Sequence, residues 1–134
     1  MKLPSNVCIA VLCVFTASCT TPSPRVSPAV ARVTFYCPKE DKWGSRIASS
    51  KRARAREGLT IAAERAFPFG TRVHIPRLWG IVGDGHFVVQ DRGTAVQARK
   101  ASYGSVPVFD IYVASRKKMK RLLGTLPDYL PYHL

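Results

Sequence analysis

Residues 108–113 read Val108-Phe109-Asp110-Ile111-Tyr112-Val113, a β-branched and aromatic run interrupted by one carboxylate. This composition predicts a strand. Side chains alternate between the two faces of a strand, so Phe109, Ile111 and Val113 share one face while Val108, Asp110 and Tyr112 share the other. Burying an ionised group among such neighbours is costly, and Asp110 needs a reason to stand there.

Outward from this run, Val33-Thr34-Phe35-Tyr36-Cys37, Thr71-Arg72-Val73-His74-Ile75 and Phe87-Val88-Val89-Gln90 have the same character and are bounded by Gly or Pro. Gly83-Asp84-Gly85, between Trp79-Gly80-Ile81-Val82 and the Phe87 run, carries the Asp-Gly signal of a tight hairpin. One helix is marked, with Ser115 as N-cap, Met119, Leu122 and Leu123 on one face, and Gly124 as the stop. Its other face holds Arg116, Lys117, Lys118, Lys120 and Arg121. The expected fold is mainly β, a small barrel with one or two short helices.

The chain has 134 residues and 46% apolar content, with 10 Pro and 9 Gly. That is too hydrophobic for a disordered tail and too broken by turn residues for a helical bundle, and it is enough for one domain. Lys and Arg number 21 against 8 Asp and Glu, a net charge of +13. Such an excess invites an anionic partner, but it speaks to association rather than to chemistry.

Lys2 precedes the apolar run Val7 to Phe15, which has the length of an export signal and is too short to span a bilayer. The signal is read as residues 1–18. Its end, Thr16-Ala17-Ser18-Cys19, resembles the lipobox of bacterial lipoproteins, with Thr16 where that pattern usually has Leu. Lipidation of Cys19 is expected, and ordinary cleavage after Ser18 also fits. Residues 19–31, with Pro22, Pro24 and Pro28, read as a tether, residues 32–124 as the folded domain, and residues 125–134 as a tail.

Cys8 and Cys13 leave with the signal and Cys19 would carry lipid, so Cys37 alone remains in the folded part and no disulfide framework is available. Cys37 is either a nucleophile without an evident base or a small buried hydrophobe. His74, His86 and His133 lack ligand spacing, so neither a metal nor another cofactor is expected. Between Pro38 and Gly58, Trp43 and the basic run Lys51 to Arg56 suit either a polyanion or a solvated loop and charged helix face.

Among the acids, Asp110 lies within an apolar strand, Asp91 closes the Phe87 run and opens the turn Arg92-Gly93-Thr94, and Glu64 follows the small residues Ile61-Ala62-Ala63. Each has a structural reading as well, as turn cap, ion-pair partner or anchor of a buried group.

Taken together the blocks Val33-Thr34-Phe35-Tyr36, Ala62 to Val73, Val89 to Val96 and Phe109 to Tyr112 resemble, in that order, the three-aspartate (3D) domain of membrane-bound lytic transglycosylase A proteins. Asp91-Arg92-Gly93 is also similar to the turn of the rare lipoprotein A family. The resemblance implies a six-stranded double-psi β-barrel in which three acids meet at one groove. On the matching positions, Asp110 falls on the catalytic aspartate, Asp91 on the aspartate of the turn, and Glu64 where many members have Asp. Thr94 stands where the common pattern has a second Gly, and Gln97 to Pro107 lengthens the interval between Asp91 and Asp110.

The implied function is peptidoglycan cleavage by a lytic transglycosylase, breaking the β-1,4 bond with anhydro-ring formation. Asp110 would be the acid/base, tuned by Asp91 and Glu64. Thr34, Tyr36, Thr71, Arg92 and Gly93 are the candidate glycan contacts. The alternative is a non-catalytic, expansin-like wall-binding module. A nucleic-acid or anionic-lipid binder rests on charge alone, and no nucleic-acid partner is expected. The expected partners are glycan strands and, through Cys19, a membrane, for a monomer in the cell envelope facing the periplasm, on the outer membrane or else secreted.

Overall fold

The structure, a computed structural model, describes residues 28–38 and 44–134. The signal, Cys19, most of the tether and Trp43 lie outside the described residues. Strand β1 (Ala29–Tyr36) alternates from Ala31 onward: Ala31, Val33 and Phe35 point into the core, while Arg32, Thr34 and Tyr36 point outward. A short hairpin follows, β2 (Arg46–Ile47) and β3 (Ser50–Arg54), and then come β4 (Thr60–Ala62) and β5 (Arg72–His74). Strand β6 (His86–Asp91) leads into helix α1 (Thr94–Gln97), and β7 (Val108–Tyr112) into helix α2 (Arg116–Thr125). Strand β8 (Tyr129–Tyr132) ends the chain's regular structure.

Six strands form one sheet in the order β5-β6-β4-β7-β1-β8. A backbone bridge between His74 and His133, with N–H donated to carbonyl at 2.9 Å in both directions, brings the two edges together into a nearly closed barrel. Two of the pairings are parallel, β1 with β7 and β4 with β6, so strands distant in sequence are set side by side at the barrel's centre. Phe67, Phe109 and Tyr132 meet edge to face in the interior, with ring centroids 5.0 to 6.2 Å apart, beside the fully buried Ile61, Val89 and Ile111.

Several local expectations are corrected. Trp79 to Val82 is not a strand. A 3-10 turn at Pro76–Leu78 and local bonds, Val82 N–H to the Leu78 carbonyl among them, take up that segment, and β5 pairs with β6 instead. The turn needs glycine: Gly83 has φ +66°, and a Cβ there would lie 2.8 Å from the Gly58 Cα. Helix α2 runs through Gly124 to Thr125, and Leu123 is exposed while Met119 and Leu122 are buried. Ser115 caps it as expected, its hydroxyl accepting from the Lys118 N–H. The basic run Lys51 to Arg54 is a hairpin strand rather than a loop or helix face. The segment set apart as a tail supplies β8, whose Leu130 and Tyr132 are buried against β1.

Candidate functional site

Strand β7 is covered on both faces. Phe109 and Ile111 face the barrel interior, as does Val113 just beyond the strand. On the outer face, Val108 packs with Ala62 and Val96 of α1, while Tyr112 packs with Ile47 and Ala55 of the hairpin region. Asp110 lies between these two small clusters. The gap between the covers is a cleft of about 230 Å³, lined by Tyr36, Cys37, Ala62, Asp91, Arg92, Gly93 and Asp110.

The sheet register explains why these residues converge. Ala62 of β4 is the partner of Asp110 on one side and of Asp91 on the other, and Asp110 is in turn the partner of Thr34. Paired residues share a face, so Thr34, Asp110, Ala62 and Asp91 form a row across four adjacent strands. At a strand spacing of roughly 4.8 Å, the two aspartates flank the methyl group of Ala62. A small residue in the middle of that row leaves the cleft open.

Both aspartates accept hydrogen bonds from neutral groups of the described residues. Thr34 Oγ1 donates to Asp110 Oδ1 at 2.8 Å. Asp91 accepts from the Tyr36 hydroxyl at 2.9 Å on Oδ2, and from the Ala48 and Arg92 N–H groups at 2.9 and 2.8 Å on Oδ1. The carboxylate thereby fastens the hairpin turn and the turn after β6 to the cleft wall. Burial pushes the Tyr36 phenol far above its usual range, and the nearby charges of Asp91 and Asp110 push it further. Tyr36 is therefore a permanent hydroxyl donor rather than a base.

Arg92 and Gly93 border the cleft as expected, but the Arg92 guanidinium is occupied. It donates to the carbonyls of Ala63 (3.1 Å), Asp91 (3.1 Å) and Phe67 (2.8 Å), and lies 4.0 Å from the Phe69 ring centroid. Burial, followed by the charge of Arg65, lowers its proton affinity. This side chain braces the turns around the site.

Three expected residues do not line the cleft: Thr34 reaches it only through its bond to Asp110, and Glu64 and Thr71 are engaged elsewhere. Glu64 is buried, and both of its oxygens accept from Arg99, Nε and Nη2, at 2.6 Å each. Thr71 donates to the Pro68 carbonyl at 2.7 Å and closes a turn. Ala62, the backbone of Ala48, and Arg99 were not anticipated. Arg99 lies 35 positions from Glu64, in the lengthened segment, and has a left-handed φ of 48°. Cys37 is fully buried yet contributes to the cleft wall.

Among the described residues, no group of three or more His, Cys, Asp or Glu side chains is arranged to hold a metal ion, and no helix is long and apolar enough to cross a membrane. No family model and no curated protein matches the chain.

Proposed function

We propose that the chain is a peptidoglycan-active protein of the cell envelope, a lytic transglycosylase that cleaves the MurNAc-GlcNAc β-1,4 bond with anhydro-ring formation. The observation that carries this reading is the row Thr34, Asp110, Ala62, Asp91, which sets two carboxylates on either side of an open cleft. The barrel with its two parallel central pairings supports the likeness to the double-psi three-aspartate domain.

In this reading the protonated Asp110 carboxyl gives its proton to the glycosidic oxygen as the C1–O bond breaks. The C6 hydroxyl of the same muramoyl residue then bonds to C1, and its proton returns to the Asp110 carboxylate. One acid/base completes the cycle, so no second carboxylate is needed to activate water. Thr34 orients Asp110 through its hydroxyl. Asp91 is a positioning residue that holds Tyr36, Ala48 and the Arg92 turn around the cleft. The export signal and Cys19 would deliver the domain to the wall on a lipid anchor.

A second reading, a wall-binding module without catalysis, is favoured by one observation. The third acid, Glu64, is withdrawn from the cleft into its pair with Arg99. Digestion of purified sacculi separates the two. Anhydro-muropeptides among the products, identified by mass, support the enzyme; pelleting with sacculi without new chain ends supports the binder.

A further inference from the structure

The hairpin β2–β3 carries charge that no ion pair among the described residues neutralises. Arg46 is the direct partner of Arg54 across the pair, and Lys51, Arg52 and Arg56 add three cations close by. All five are exposed, and among the described residues none of them is in an ion pair. Like charges directly opposite one another destabilise a strand pair. Such a pair weakens a hairpin in isolation, and an anion laid across it would relieve the repulsion.

Its position says where that anion would lie. The hairpin turn is pinned to the end of β6 by the Ala48 N–H on Asp91 at 2.9 Å and the Ser49 N–H on the Gln90 carbonyl at 3.0 Å. Ile47, and Ala55 just after β3, pack on Tyr112 and Tyr36, beside the cleft wall. The hairpin that carries the cations is thus anchored beside the cleft that holds Asp91 and Asp110. Because the hairpin is fastened to the cleft wall, a flexible anionic polymer crossing it can continue into the cleft, which a flat bilayer cannot enter.

We infer that the β2–β3 hairpin is a binding arm for a carboxylate-bearing polysaccharide, its cations holding acidic groups of the strand while neighbouring sugar rings reach the cleft. This rests on the reading of the cleft as a glycan site. The acid/base chemistry is left to Asp110; the hairpin selects for negative charge on the polymer.

The test uses the full chain and three probes: polygalacturonate, the same polymer fully methyl-esterified, and phosphatidylglycerol vesicles. Two variants of equal charge are compared, Arg46→Gln/Arg54→Gln on the hairpin and Arg72→Gln/Arg77→Gln at exposed positions on and after β5. The expected result is binding of the acidic polymer about tenfold tighter than the ester, falling about fivefold in the hairpin variant and less than about twofold in the other. The hairpin variant should melt at the same temperature as the parent or higher, because a repulsive pair has been removed.

Equal losses in the two variants would reduce the effect to net charge and overturn the inference, as would equal binding of acid and ester. Vesicle binding that alone depends on the hairpin would overturn it in favour of a membrane surface. If sacculi yield no anhydro ends while polygalacturonate binding still follows the hairpin, the catalytic reading fails and the binding arm stands.

Discussion

Replacing Tyr36 by Phe removes one oxygen from the cleft and leaves the ring, which meets Tyr112 edge to face at 5.4 Å. Among the described residues the lost hydroxyl is one of three donors on Asp91, the others being backbone N–H groups. A hydrogen bond to a charged group contributes about 1.5–3 kcal/mol. Asp91 is only partly buried, so water takes the vacated position and the expected loss is about 1 kcal/mol. For a domain of this size that lowers Tm by roughly 4–8 °C, to be read by circular dichroism with a urea titration beside it. Sacculus digestion should slow without stopping, because Asp110 and Thr34 remain. The number of tyrosines that ionise below about pH 11 in the folded protein should not change, since the buried Tyr36 phenol does not titrate there. An unchanged Tm would show that the hydroxyl does not support Asp91. A complete loss of product at unchanged stability would make Tyr36 itself a participant in the chemistry, against the role derived above.

Three further outcomes are expected. Glu64→Gln should lower Tm, because it breaks the two-pronged pair with Arg99, yet leave turnover per folded molecule intact; a loss of turnover at full stability would return Glu64 to the catalytic group. Burial, then His86 and His133, lower the proton affinity of His74, so the unfolded chain binds more protons than the folded one between the lowered value and the ordinary 6.5. Stability is then full above about pH 6.5 and is lost as pH falls below it, a slope in the urea midpoint that His74→Asn should flatten. Leu122→Ala should cost about 2–5 kcal/mol in urea unfolding and Leu123→Ala less than about 0.5, since only the first is buried.

Much of the barrel could be read from side-chain alternation. Thr34 and Tyr36 facing outward between Val33, Phe35 and Cys37 follow from period two, and the unusual placement of Asp110 and Asp91 follows from the cost of a carboxylate beside apolar strand residues. What brings the two together did not show, because it depends on the short strand Thr60–Ala62 pairing parallel on one side and antiparallel on the other. Nothing local in three residues announces such a pairing. The Glu64–Arg99 pair was hidden for a related reason: proximity in space set by the fold, not by spacing. The residues after Gly124 read as a tail, yet they supply β8, whose Pro131 is tolerated because a strand accepts a proline where its missing N–H is not needed. The Asp-Gly signal at Asp84-Gly85 did mark a reversal, but the partner of β6 was the more distant Arg72–His74 rather than the segment just before it.

In the proposed mechanism Asp110 is the acid/base of this cleft. The most direct test is digestion of purified sacculi by the parent protein and by Asp110→Asn, a near-isosteric change that removes the transferable proton, with folding of both checked by circular dichroism. The parent is predicted to release anhydro-muropeptides, and folded Asp110→Asn to release them at least about a hundredfold more slowly. Anhydro products from Asp110→Asn at the parent's rate would remove Asp110 from that role.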